Sequence, residues 1–541
     1  MTRAIVPVAF AAALFSSPAA EACGGFFCSQ SQPVIQNAER IAFSVDGDEI
    51  ETHVQIFYEG PSDQFAWIVP VPTNPDTFLS TDVLFNQLAI QTGPTFQLNQ
   101  IDEGNCREGG MVLKGSMEMD DAMSPSATDG GVSVVDLKQV GPYDTAVLQA
   151  NNADELMVWL EDNGYDLPDD IASLLAPYIS QDAYFLALKL AKNKDTGDIA
   201  PIGFRYTAEK AMIPIQLTSV AAAPDMRLET YVFAQHRAVP ESYLHVQINE
   251  AAVNWWNGGQ NYSNVITKAA NEAGGHAFAT DFADSTDGLR DLIWDDNRVD
   301  LQALRYAADA QDWIDDIKWQ IPVSSTLLDV VEAWIDIPQG VDPNDFYGCP
   351  DCYTGWNTQN FDAESATDDL EEFVIEPLRT ADALFDHAFL SRMTSSLDAV
   401  EMTVDPVFVQ NPDMGTVTRT HQADLVYECN GRKRERASRR LELADGRRID
   451  LPSENWFEDN DISEFEFIKE LGGINAQIIE RTGASGQPVV LNDYTGKLAK
   501  QTDAFNENVR KLLGCGCSST GGPSGGFLGL ALVGLFLRRR R

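Results

Sequence analysis

The chain has 541 residues, of which 44% are apolar and 22% charged, enough for two to four compact units with real cores, which excludes a wholly disordered, collagenous or small disulfide-scaffold protein. Acidic residues number 82 against 38 basic, a net charge of −44. Such a surface repels phosphate backbones and anionic headgroups alike, so nucleic acid is disfavoured as a partner.

Residues 1–22 have the parts of a secretory signal: Arg3, an apolar run from Ile5 to Phe15, and the small-residue site Ala20-Glu21-Ala22 ahead of Cys23. Ala22 is the expected processing residue. The pattern from Gln36 to Tyr58 predicts a hairpin turning at Asp46-Gly47-Asp48, with Ile50, Thr52, Val54, Ile56 and Tyr58 on one face and Glu51, His53 and Gln55 on the other, His53 towards solvent. Phe65 to Val71 reads as a strand, Ser80 as the cap of a helix ending at Gly93, and Arg107 to Gly131 as a flexible loop. Strands are expected at Val132–Val140 and Asp144–Gln149, then two helices, one with Leu156, Trp159 and Leu160 inward and one starting at Pro168. Ala183–Ala191, Ile202–Thr207, Ile213–Val220, Leu228–Gln235 and Ser242–Ile248 read as five strands of an antiparallel meander. A helix follows from Tyr262 to Ala273, then mainly helical segments to about 400, and strands at Val417–Glu428 and Arg440–Leu451.

The chain closes on Gly514-Cys515-Gly516-Cys517, a Gly/Ser spacer, the apolar run Phe527–Leu537 and four arginines. That run would rise roughly 16 Å as a helix, about half a hydrocarbon core. Cys, spacer, short apolar segment and terminal arginines resemble the MYXO-CTERM type of sorting tail, which implies cleavage near Cys515 and Cys517 and delivery to the cell surface. The alternative is a retained, marginal membrane anchor. Export and sorting machinery are thus expected partners, with membrane contact through the tail.

The segments Cys23-Gly24-Gly25-Phe26-Phe27-Cys28, Phe65-Ala66-Trp67-Ile68-Val69-Pro70-Val71-Pro72, Trp159 to Tyr165 and Glu272 to Phe278 together resemble an exported bacterial family known as domain of unknown function 2330. The resemblance covers about 23–280, with weaker echoes near Glu401 to Pro406 and as far as about 430. It implies export and a shared fold and brings no catalytic residue.

Six body cysteines, Cys23, Cys28, Cys106, Cys349, Cys352 and Cys429, are disulfide candidates in an exported chain, with Cys23 and Cys28 the first local pair. Cys349-Pro350-Asp351-Cys352 has redox spacing, but its flanks are turn-like and its neighbours acidic, which favours a structural bridge. Zinc held by Cys349 and Cys352 with Cys429 and His421 is a weaker alternative. The six histidines, His53, His236, His245, His276, His387 and His421, show no metal or protease spacing. A site assembled from distant residues requires one of them, His276, His387 or His421 first, to meet a hydroxyl or thiol and a carboxylate. His276, after a glycine pair, reads as a helix-end or loop residue. Asp459, Asp461, Ser463 and Glu470 match a calcium loop at positions one, three, five and twelve, with Glu464 where glycine belongs. Chance matches are expected in so acidic a chain, so the stretch reads as a solvated face and no cofactor is expected, with calcium the alternative. The arginine-rich stretch Arg432–Arg448 reads as a charged edge hairpin turning at Asp445-Gly446, or as a patch docking on an acidic surface, perhaps of this same molecule. Trp255-Trp256 reads as half core and half surface.

The expected fold is α+β: a β-rich antiparallel N-terminal half with short helices and a mixed α/β C-terminal half. The expected division is a signal at 1–22, a β-rich domain at 23–250, a mainly helical region at 251–430, a small α+β segment at 431–514 and the tail at 515–541. The function expected is that of an exported, cell-surface binding or structural envelope protein without catalysis. The alternative is a secreted enzyme, a hydrolase or thiol–disulfide oxidoreductase, whose site the sequence does not display.

Overall fold

The computed structural model describes residues 35–59, 66–106, 133–150, 152–163, 165, 171–190, 199–354, 356 and 361–514. Cys23, Cys28, Ala22, the 107–131 loop and the tail with Cys515 and Cys517 lie outside them. The fold is α+β, with 36% of residues helical and 33% in strands.

A ten-stranded sheet forms the centre. Its order is Val489–Asp493, Ala476–Arg481, Leu244–Ile248, Ala277–Ser285, Phe389–Leu397, Ala222–Ala234, Ile35–Asp46, Glu49–Glu59, Ile202–Thr207 and Asp76–Leu79. The hairpin expected at Asp46-Gly47-Asp48 is there, with Gly47 in the left-handed region at φ 62°. Most pairings are antiparallel; Ile35–Asp46 with Ala222–Ala234, and Leu244–Ile248 with Ala277–Ser285, are parallel. The sheet takes strands from each of the stretches 23–250, 251–430 and 431–514.

One face packs Ile41, Phe43, Ile50, Val54 and Phe204 against Trp67, Val69, Val147, Leu186 and Leu188 of a four-stranded antiparallel sheet. The far side of that smaller sheet is covered by the helices Ala153–Asp162 and Ile171–Ile179 through Leu156, Trp159, Leu160 and Leu175. The other face of the large sheet buries Ala42, Tyr231 and Phe233 under the helix Asp82–Thr92 and the helices between 301 and 385, with Phe85, Trp313, Leu327, Phe346 and Leu378. Both faces are therefore covered, which decides the fate of every polar residue the hairpin pattern assigns to solvent.

Three expectations are corrected here. The meander does not form: Tyr184–Leu190 lies in the small sheet, Ile202–Thr207 pairs with Glu49–Glu59 and Asp76–Leu79, and Ala222–Ala234 sits between Ile35–Asp46 and Phe389–Leu397. Within Ile213–Val220 the chain makes a short helix, Ile215–Thr218, because an apolar run of that length carries no periodicity to separate strand from buried helix. The cap of the helix Asp82–Thr92 is Thr81, whose hydroxyl accepts from Val83 N at 3.3 Å, and not Ser80.

A second four-stranded sheet joins Thr95–Glu103 in parallel to Thr420–Glu428, then Ser438–Leu443 and Arg448–Leu451. The last two strands are the arginine-rich hairpin, at the sheet edge as expected, with Gly446 at φ 86° in its turn. Its arginines dock on acidic neighbours within the molecule. Arg440 reaches Glu428 at 2.7 Å and Glu103 at 2.8 Å, and Arg439 reaches Glu464 at 3.0 Å.

Candidate functional site: a serine–histidine pair in an arginine-lined groove

The strand Ile35–Asp46 places Arg40, Ala42 and Ser44 on its helix-covered side, and the facing strand places Glu51 and His53 there. Gly203 lies opposite both His53 and Phe78, and a β-carbon on it would meet the Phe78 ring at 2.2 Å. Only glycine lets Phe78 lie across the strand, edge-on to His53 at 5.4 Å and beneath the Arg205 guanidinium at 4.3 Å. Arg205 is thus propped from below. Its Nε donates to Glu51 Oε2 at 2.5 Å, while His53 Nε2 bonds Glu51 Oε1 at 2.8 Å and His53 Nδ1 bonds Ser80 Oγ at 2.7 Å. Burial alone would raise the Glu51 carboxyl; the hydrogen bonds and charges of His53 and Arg205 outweigh it and hold Glu51 below its ordinary value.

Ser44, Glu51 and Arg205 form one wall of a groove of about 290 Å³ whose other wall is Arg379, Thr380, Ala383 and Leu384. These last lie on the helix Glu376–Ala383 and the turn after it. His387 follows that turn, and its Nε2 lies 2.7 Å from Ser44 Oγ. Burial pushes the His387 imidazole below its ordinary value, only partly opposed by the charges of Asp46, Asp386 and Glu51. Its Nδ1 is buried without a hydrogen-bond partner. Arg379 donates through Nε to Asp296 at 2.6 Å, pairs with Glu376 and lies 3.6 Å from Glu371. The groove itself is therefore lined by the Ser44 hydroxyl, the Glu51 carboxylate and two guanidinium groups, with the His387 imidazole reaching it through Ser44. An apolar cavity between the two sheets, walled by Trp67, Phe204 and Glu39 among others, is only about 30 Å³, room for a couple of waters.

His53, His245, His276 and His421 are engaged elsewhere, and His236 is exposed. His53, expected at the solvent side, is fully buried because helices cover that face, and its Ser80–His53–Glu51 chain has no access to solvent at the serine. His245 bonds Glu480 at 2.8 Å and Thr280 at 3.0 Å, also buried. His276 Nε2 donates to the Glu401 carbonyl at 2.5 Å, a loop anchor. His421 stacks on Phe96 at 4.7 Å and bonds Glu250 at 3.0 Å. Of the three histidines expected to form a distant site, His387 alone meets a hydroxyl side chain beside a groove. Ser44, Glu51, Arg205 and Arg379 escaped the sequence reading; the one available signal was the polar alternation Arg40, Ser44, Glu51, His53, which also fits a solvated face.

Cys106 pairs with Cys429, and Cys349 with Cys352. Cys429 is buried in the cluster around the arginine hairpin, so the zinc set Cys349, Cys352, Cys429 and His421 does not come together. The stretch from Asp459 to Glu470 is not a calcium loop. Asp459 lies in the helix Glu454–Asn460, Asp461 ends it in the left-handed region, and Ser463 caps the next helix by accepting from Glu466 N at 3.2 Å. Trp255 is buried against Phe96 with its Nε1 donating to the Glu250 carbonyl, and Trp256 is half-buried, so this pair is core and rim.

Fold and groove define a layered α+β protein with a polar, arginine-lined site at the end of its central sheet. Residues 17–337 match the family model described as an uncharacterized protein conserved in bacteria, domain of unknown function 2330, and the chain belongs to that family. The resemblance drawn over 23–280 lies inside this match, and the echoes near 401–406 lie beyond it. No curated protein and no solved structure matches the chain. Among the described residues no helix is long and apolar enough to cross a membrane.

Proposed function

We propose that the chain is exported and displayed on the cell surface, and that it acts there as a binding protein for a small carboxylate- or phosphate-bearing molecule held between Arg205 and Arg379. One observation carries the binding role: two guanidinium groups and a hydroxyl, with the single carboxylate Glu51 already engaged by Arg205 and His53, line one groove of about 290 Å³ in a chain of net charge −44. Anions are repelled by most of such a surface, and a groove lined by two arginines is where one is admitted, since the guanidinium fork matches carboxylate and phosphate geometry. Export is supported by Arg3, the Ile5–Phe15 run and Ala20-Glu21-Ala22, and display by the Cys515–Arg541 tail. The bridges Cys106–Cys429 and Cys349–Cys352 suit an oxidising compartment.

Calorimetric titration of the purified protein with succinate and with inorganic phosphate tests the binding role. Saturable heat with one of them is expected, weakened roughly tenfold by Arg379→Ala or Arg205→Ala, the loss of one charge-assisted contact. No heat, and no rise in thermal midpoint at millimolar anion, contradicts it.

A further inference from the structure

We propose that Ser44 is a nucleophile activated by His387, and that the groove takes a carboxylic ester bearing a second, anionic group; this rests on the groove being an anion site. The 2.7 Å contact between Ser44 Oγ and His387 Nε2 is the distance over which a hydroxyl passes its proton to an imidazole. Both residues are half-buried beside the groove, not sealed like the chemically similar Ser80–His53 pair. The His387 backbone is fixed, because its carbonyl accepts from the Thr286 hydroxyl. Burial disfavours the protonated imidazole, while Asp46, Asp386 and Glu51 favour the imidazolium that appears once the serine proton is transferred. Arg205 and Arg379 line the same groove and hold the anionic arm of the ester.

In the first step Ser44 Oγ bonds to the ester carbonyl carbon as its proton moves to His387 Nε2. The bond from that carbon to the leaving oxygen breaks, and the leaving oxygen takes the proton from His387, giving an alcohol and acyl-Ser44. Water then attacks the acyl carbon and gives a proton to His387. The acyl–Oγ bond breaks, the proton returns to Ser44, and the carboxylic acid departs.

The test uses mono-p-nitrophenyl succinate, with p-nitrophenyl acetate as the neutral comparison and a fluorophosphonate as covalent probe. Expected are a phosphonyl adduct mapped to Ser44 on the unsubstituted protein, a succinate-ester rate lowered at least 100-fold in Ser44→Ala and His387→Gln, and a succinate-to-acetate preference lowered roughly tenfold in Arg379→Ala. Mapping on the unsubstituted protein does not depend on any variant folding. No adduct at Ser44, with nitrophenol release equal in the unsubstituted and Ser44→Ala proteins, overturns the inference even if succinate binds by calorimetry. An adduct at Ser44 with neither succinate binding nor succinate preference upholds the nucleophile and removes the anion site.

Discussion

At the scale of single residues, two titrating groups leave opposite marks on stability. His387 has a folded value below its ordinary 6.5 through burial, so the native state binds fewer protons than the unfolded chain between those values. Stability is then fully present above about pH 6.5 and falls as pH drops through the folded value. The charges facing the ring are Asp46, Glu51 and Asp386, with Arg379 and Arg205 across the groove and Arg290 paired to Asp386 at 3.7 Å. His387→Gln should flatten this acid limb in denaturant titrations run downward from about pH 6.5; an unchanged limb contradicts the assignment. Glu39 is the reverse case. Buried on the apolar inter-sheet face, its carboxyl is pushed up to about 7, with the Gln36 side chain opposing. The native state binds the extra proton between about 4.5 and 7, so stability falls as pH rises through that window and stays lower above it. Glu39→Gln should gain about 3 kcal/mol relative to the parent at pH 8 and little at pH 4, read from urea midpoints. His387 was one of three histidines the sequence put forward, but neither Glu39 nor the serine that His387 meets was legible. Ser44 and His53 alternate with apolar neighbours as solvent residues do, and only helices from residues 82–92 and 301–385 turn that face inward.

At the scale of elements, local signals survived and long-range pairings did not. The Asp46-Gly47-Asp48 turn, the helix Ala153–Asp162 and the arginine hairpin were readable because their partners lie within a few residues. The meander was not, because the neighbour of Ala222–Ala234 on one side comes from 389–397 and on the other from 35–46. Nothing within the 183–248 stretch encodes those partners. The groove depends on one such meeting, at Gly203. Gly203→Ala drives a methyl group into the Phe78 ring, and a cost of roughly 1–3 kcal/mol is expected from the forced repacking. Arg205 loses its prop with it, so anion binding should weaken alongside the drop in thermal midpoint. A normal midpoint with normal binding would show that Phe78 has room to shift. Asn249 offers a second check. Its Nδ2 donates to the Leu471 and Ile474 carbonyls at 2.9 and 2.6 Å and its Oδ1 accepts from Arg447 and Ala251 N. Asn249→Ala removes four hydrogen bonds made by a buried side chain and leaves the Leu471 and Ile474 carbonyls without it, an expected cost of roughly 2–3 kcal/mol by chemical denaturation.

At the scale of the whole molecule, strands from residues 35 to 493 share one sheet, and the Cys106–Cys429 bridge joins points 323 residues apart beside the parallel pair Thr95–Glu103 and Thr420–Glu428. Replacing both cysteines with alanine should cost roughly 2–5 kcal/mol, seen as a lower denaturant midpoint with unchanged far-ultraviolet dichroism. The bridges, the acidic surface and the two chain ends all bear on one claim, that this protein works outside the cytoplasm. Fractionating the native cells and sequencing both ends of the purified chain tests it directly. A surface-exposed chain beginning at Cys23 and ending near Cys515 is the predicted result. An intact chain in the cytoplasm, with Met1 and Arg541 both present, would contradict it.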